Sequence, residues 1–285
     1  MAATECAAEF QDRIMRIYHY TNLESLALIL KNKTIRFNRL DRVDDYEEGN
    51  AESLGVRFSK YVFASCWTEE QEESIPLWKM YGGDFGGLRI SMEHEMFKEY
   101  NLFAPDLHIQ TDTGFFSSKI PAKDMNNPDF FIFPFLDYEN DLFYRQIRYV
   151  DNVFEYTKDS IKIGNINGNR GDMNLEMKSF GYYKNKRWEF QKESRFVLYI
   201  FPVNILREGA NPEISSIVMQ RLLNNIPLPF SYYDMNLKED AMDNMEITLS
   251  PSASEAQKII VQTLVDKYAP RAKVFESSLG KLVRL

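Results

Sequence analysis

The sequence predicts an α+β fold: a single strand-rich domain over residues 1–285, with a candidate inserted subdomain near 95–145. Three observations carry this. Short aromatic and β-branched runs recur along the chain, and 14% of its residues are aromatic, which suits pleated, half-buried surfaces. Two stretches show helical apolar spacing behind a capping residue. No internal repeat, long linker or low-complexity stretch interrupts the chain, and 44% of it is hydrophobic, enough for one sizeable core.

The elements follow in order. Residues 1–15 read as a loose or helical lead-in. Ile17-Tyr18-His19-Tyr20-Thr21 reads as a strand that stops and becomes a helix. Thr21 and Glu24 have capping-box spacing, and Leu23, Leu26, Ala27 and Leu30 give the helix its apolar stripe. A second strand is expected at 34–38. The acidic run Asp41, Asp44, Asp45, Glu47 and Glu48 reads as a solvated loop and helix start; it lacks the Gly and terminal Glu of a calcium loop. Residues 61–67 form the next strand, followed by a second acidic run that reads as solvated, from Glu69 to Glu73. A short helix is expected at 74–81, with Pro76 tolerated in its first turn. Gly82-Gly83 and Gly86-Gly87 bracket a turn before a strand at 88–92.

Residues 100–143 are poorly patterned, and the apolar run 130–135 must be buried or face a partner. Strands are expected at 146–150, from Arg195 to 200, at 214–218, 245–249 and 273–276. The Gly- and Asn-rich stretch 164–172 reads as a mobile loop. Ser252 and Glu255 have the spacing of a second capping box, ahead of Ile259, Ile260, Leu264, Val265 and Tyr268 on one helix face.

Composition narrows the function. The formal net charge of −8 argues against sequence-independent binding to a nucleic-acid backbone, while leaving room for a local basic groove. Two cysteines, Cys6 and Cys66, make no disulfide framework and suit a reducing compartment. No apolar run approaches the ~18 residues of a membrane span. The first residues carry acids and no cluster of positive charge, so no secretory signal is read there. The expectation is a soluble, cytoplasmic protein with no membrane contact.

Several chemistries find no support. His19, His94 and His108 with the two cysteines show none of the short spacings of zinc ligands, so no metal is expected. There is no Gly-x-Ser-x-Gly elbow, no phosphate loop and no dinucleotide fingerprint. What remains is sparse: His19 ending a strand, Ser65 and Trp67 on another, Trp78 and Tyr81 beside a Gly-rich turn, and Glu193 and Arg195 opening a third. One His, a few rings and one Glu suit an aromatic heterocycle joined to a ribose. Trp78 and Tyr81, at i and i+3, suit a core stripe equally well.

These residues carry a resemblance. His19-Tyr20-Thr21 leads into Leu23, Ser25 and Ile29-Leu30-Lys31-Asn32; Ile35-Arg36-Phe37-Asn38 follows, then Ser65-Cys66-Trp67 and Ile75-Pro76-Leu77-Trp78 with Tyr81. Together with Trp188, Phe190, Lys192-Glu193 and Arg195, and the closing Ile247, Leu249, Pro251 and Val274-Phe275-Glu276-Ser277, they resemble the DUF2971 family of bacterial proteins over 17–278. Gln191 stands where that family tends to have a Glu, which leaves Glu193 as the sole candidate carboxylate. The first motif is similar to the opening His-Thr segment of DNA-modifying ADP-ribosyltransferases.

The resemblance implies split sheets around a central cleft for NAD, used as substrate without a metal. It implies an ADP-ribosyltransferase acting as the toxin or effector of a bacterial anti-phage or toxin–antitoxin unit. A neutralising antitoxin, and an accessory protein beside it, are the implied partners. Glu193 would stabilise the oxocarbenium-like state as the nicotinamide bond breaks, and would orient or deprotonate the acceptor. His19 would hold the adenosine-side ribose, with Tyr20 and Thr21 beside it and Thr21 toward the nicotinamide. Tyr81 or Trp78 would stack on a ring, with Ser65 and Trp67 in the same wall, and Arg36 and Arg195 would meet phosphates. The acceptor is a macromolecule, with nucleic acid favoured over protein. Tyr182, Tyr183 and Trp188 amid Lys184, Lys186 and Arg187 are the local candidates to hold it. Two other classes compete: a non-catalytic nucleotide-binding module of a defence system, and a metal-dependent nuclease using the acidic runs.

Overall fold

The computed structural model describes residues 15–81, 86–104, 112–125, 127–133, 140–167, 170–203, 214–280 and 282–283. Cys6, His108 and the glycines at 82 and 83 lie outside the described residues, as do 134 and 135 of the apolar run. The main elements are β1 (Arg16–Asn22), α1 (Leu23–Asn32), β2 (Thr34–Arg39), β3 (Val62–Thr68), α2 (Ile75–Tyr81), β4 (Gly87–Glu93) and β5 (Tyr144–Gln146). They continue as β6 (Glu193–Phe201), α3 (Ile214–Leu223), β7 (Tyr232–Asn236), β8 (Glu246–Leu249), α4 (Glu255–Tyr268) and β9 (Lys273–Phe275).

One large mixed sheet organises them, in the order β5-β6-β3-β1-β4-β8-β9; β2 branches from β3 and pairs in turn with β7, and the short strand Phe131–Ile132 pairs with the end of β6. Every pairing in it is antiparallel except β8 with β9. β6 is buried along its whole length: nine consecutive buried residues, paired along β3 from Glu193 with Thr68 to Tyr199 with Val62. A strand covered on both faces reads as a continuous apolar run, and from Phe196 to Phe201 this one does. Phe196, at its middle, meets Phe97, Phe143 and Tyr144 with ring centroids 4.7–5.2 Å apart. Leu102, Ile120, Met125 and Phe143 join the same core.

Several local expectations give way to longer-range forces. β1 continues through Thr21 and Asn22, because both pair with β4, at Leu88 and Gly87. The helix cap therefore falls on Asn22, whose side chain accepts from the Ser25 N–H at 2.8 Å, and not on Thr21. The second capping box also shifts: Ser254 and Gln257 form it reciprocally, in place of Ser252 and Glu255. The expected strand at 214–218 is helical; Val218 and Leu222, one turn apart, enter the core. The expected strand at 146–150 breaks at Ile147, into β5 and Arg148–Val150. Within the Gly- and Asn-rich stretch, the described residues 164–167 and 170–172 belong to two antiparallel strands, Ile161–Asn167 and Arg170–Leu175.

The described part of the apolar run packs mostly inward, with Phe130 and Phe133 half-buried. Phe131 and Ile132 pair with Phe201 and Ile200 and are buried, and Phe130 packs on Phe230 at 4.9 Å. No helix among the described residues is long and apolar enough to cross a membrane.

Candidate functional site

The site begins with a fork in the sheet. β3 pairs on one edge with β6 over seven residues. On its other edge it meets two strands in turn: β1 only at Thr68 (with Tyr18), and β2 only at Ala64 and Phe63 (with Asn38 and Arg39). Between those points β1 and β2 swing away, and α1 joins their far ends. The result is a three-sided slot walled by β1, β2 and residues 65–67, opening into a cleft of about 550 Å³. That is within the roughly 300–1,000 Å³ of small-molecule sites.

The cleft collects His19, Tyr20, Thr21, Arg36, Ser65, Trp67, Tyr81, Glu193 and Arg195 in its walls. Trp78 is elsewhere. Its ring is buried edge-on against Tyr20 at 5.0 Å, and its indole N–H donates to Glu73 at 2.9 Å, so it is core and stacks on no ligand. Tyr20 is buried as well, its hydroxyl accepting from the Ser74 N–H at 2.8 Å. Trp67 donates to the Ser65 hydroxyl at 2.9 Å, which commits both side chains to the wall.

His19 fills the fork where backbone pairing has stopped, within β1 rather than at its end. Its Nδ1 lies 2.7 Å from the Cys66 carbonyl oxygen, and its ring centroid 5.1 Å from that of Trp67. Burial lowers its pKa, against a smaller upward pull from that hydrogen bond, so the ring is neutral. A carbonyl only accepts, so the proton is on Nδ1 and Nε2 is left as an acceptor. Nε2 in this tautomer can accept a hydrogen bond from a donor placed in the cleft.

Glu193 stands where a 3₁₀ turn, Lys186–Gln191, ends and β6 begins. Lys192 makes the corner in the left-handed region, φ 42°, held by the Thr68 hydroxyl donating to its carbonyl at 2.9 Å. The Glu193 N–H donates to the Tyr149 hydroxyl at 2.7 Å, and its carbonyl accepts from Ile147 N–H at 2.9 Å. The carboxylate is equally fixed. It accepts from Arg195 Nε at 2.8 Å and from Lys184 Nζ at 2.9 Å, and the Cys66 thiol faces it. Burial would raise this carboxyl, but the two cations outweigh it and hold it down at about 2. Burial pushes the Cys66 thiol up, away from thiolate chemistry.

Arg195 is fully buried and takes no phosphate. Its guanidinium is shared between Glu193 and Glu48 and also donates to the Gly181 carbonyl at 3.2 Å. Gly181 has φ +67°, and a Cβ there would come 2.9 Å from Leu40, so the close approach needs glycine. The first acidic run is thus partly structural and not a solvated loop: Glu48 pairs with Arg195, and buried Asp45 caps the helix Tyr46–Gly49. The second is likewise engaged. Glu69 accepts from Tyr144 and Ser194, and Glu73 from Trp78, Ser277 and Ser278.

Two residues take positions that the sequence reading did not assign them. Lys184, placed by its neighbours in an exposed basic patch, is buried and donates to Gln191 at 2.6 Å as well as to Glu193. Gln191 in turn donates to the Tyr81 hydroxyl at 3.1 Å, so a chain of contacts runs from the cleft mouth to Glu193. Lys186 and Arg187 remain exposed beside half-buried Tyr182, Tyr183 and Trp188. Among the described residues no group of three His, Cys, Asp or Glu side chains converges as metal ligands. Comparison with family models, curated proteins and solved structures returned no match.

Proposed function

We propose that this protein is an NAD-dependent ADP-ribosyltransferase of the DUF2971 type, in which NAD lies in the forked cleft. The observation that carries the reading is the convergence on one cleft of a neutral His19 with a free Nε2 acceptor and an ionised, rigidly held Glu193. Nε2 would accept a ribose hydroxyl. Glu193 would face the ribose whose bond to nicotinamide breaks, stabilising the positive charge that develops there. A carboxylate held near 2 is a poor base, so its role here is electrostatic rather than proton removal. Tyr81, at the mouth, would border the leaving ring. The acceptor would be a macromolecule, nucleic acid before protein, approaching past Tyr182, Tyr183, Lys186, Arg187 and Trp188. Such an activity in a bacterial cytoplasm would serve as the toxin of an anti-phage or toxin–antitoxin unit and would need a neutralising antitoxin.

One observation favours a second reading, a non-catalytic nucleotide-binding module. Both Glu193 oxygens already carry a cation, which blunts the field available to a transition state. Kinetics separate the two. Wild-type protein is expected to release nicotinamide from NAD, and His19→Ala to raise KM about five- to tenfold for the lost hydrogen bond, with kcat altered much less. NAD binding without nicotinamide release, in the presence of RNA, DNA and protein acceptors, would establish the binding module instead.

A further inference from the structure

The side chain of Arg36 has a geometry that phosphate recognition leaves unexplained. It projects from β2, and its guanidinium carbon sits 3.7 Å from the centroid of the Tyr232 ring, so one flat face is covered. Its edge is covered as well: Nε and Nη2 make parallel bonds to the Asp234 carboxylate at 2.8 and 2.9 Å. The β2–β7 ladder sets Asp234 directly opposite Arg36 and Tyr232 opposite Asn38, so both partners come from the neighbouring strand. The carboxylate neutralises the guanidinium and takes two of the donors a phosphate would use. The other flat face is open: Arg36 lines the cleft, Tyr232 does not, and the Arg36 side chain stays 42% exposed.

A fixed, planar, delocalised cation with one free face is a stacking surface for an aromatic heterocycle. Asn38, two residues along the same strand, and Asn32 at the end of α1 also line the cleft, and amides suit the edge of an adenine. Position decides which ring of a dinucleotide this is. From β2 to β6 there are two strand spacings, roughly 10 Å, and the fork widens them. The base on Arg36 is therefore remote from the bond broken beside Glu193, as the adenine of NAD would be.

We infer that the free face of Arg36, backed by Tyr232 and held by Asp234, is the adenine-stacking shelf of the cleft. This rests on the reading of the cleft as a dinucleotide site and replaces phosphate binding by Arg36. Arg36→Lys tests it, since lysine keeps the charge and loses the plane. The probes are ADP-ribose, AMP, adenosine and nicotinamide mononucleotide, titrated calorimetrically into folded wild-type and Arg36→Lys protein. Loss of the stack is expected to weaken ADP-ribose, AMP and adenosine by about five- to thirtyfold. Nicotinamide mononucleotide should change less than twofold. Unchanged ADP-ribose affinity overturns the shelf and leaves the dinucleotide site standing. A loss for AMP without one for adenosine overturns it in favour of a phosphate contact. Wild-type protein that binds none of the four overturns the shelf and the dinucleotide site together.

Discussion

Glu193→Gln is expected to slow nicotinamide release from NAD by about 10²–10³, the usual cost of removing one transition-state electrostatic partner. NAD affinity should move by no more than a fewfold, because the charge acts where positive charge develops and not on the bound ground state. The surroundings of Glu193 add a second expected effect. Gln leaves Lys184 and Arg195 facing a neutral amide, so the melting temperature should fall too. Adding Lys184→Met removes one surplus cation. The double variant should regain much of the thermal stability and none of the activity. Calorimetric NAD binding, nicotinamide release and thermal melting, run on the same preparations, check all three. Near-wild-type release by Glu193→Gln would remove Glu193 from the mechanism.

Arg195→Ala is expected to be the most destabilising single change at the site, at about 3–5 kcal/mol. It strands two buried carboxylates, Glu193 and Glu48, which among the described residues pair with this guanidinium and, for Glu193, with Lys184. The same network sets the acid response. Glu193 titrates at about 2 when folded against an ordinary 4.5, so its contribution is complete above about pH 4.5 and is lost as the pH falls towards 2. Urea unfolding of wild-type protein should therefore weaken steeply below pH 4.5. Arg195→Ala, in which the carboxyl is less depressed, should show a shallower acid loss from a lower plateau. Equal slopes would mean that other carboxylates govern the acid response.

The strands that build the site were legible because their signal is local. β3 carries an aromatic and β-branched run and β4 an apolar alternation, Leu88, Ile90 and Met92, and both are strands; His19, Ser65 and Glu193 line one cleft, while Trp78 does not. Long-range pairing hid the rest. Thr21 satisfies the cap pattern, but its ladder with Leu88 keeps it in the strand. The five residues from 214 suit either period, and only burial of Val218 against Leu222 one turn on decides for helix. Glu48 looks solvated beside four other acids, and its partner lies 147 residues away. Lys184 sits among exposed cations in sequence, yet its strand, Tyr183–Asn185, turns it inward onto Glu193. Trp78 has the spacing of a ligand ring and of a core stripe, and Tyr20 and Glu73 settle it as core. The forked slot itself depends on where β1 and β2 leave β3, which no local pattern encodes.

The central claim is group transfer from NAD to a macromolecule. The direct measurement uses NAD labelled in the adenylate phosphate, incubated with the protein and separate pools of RNA, DNA and cellular protein. After digestion, each pool is read for covalent label and for the mass of an added ADP-ribose. The reading above predicts that one pool, nucleic acid before protein, carries ADP-ribose in step with nicotinamide release, and that Glu193→Gln abolishes both. NAD bound in the cleft, with no label in any pool and no nicotinamide released, would contradict it.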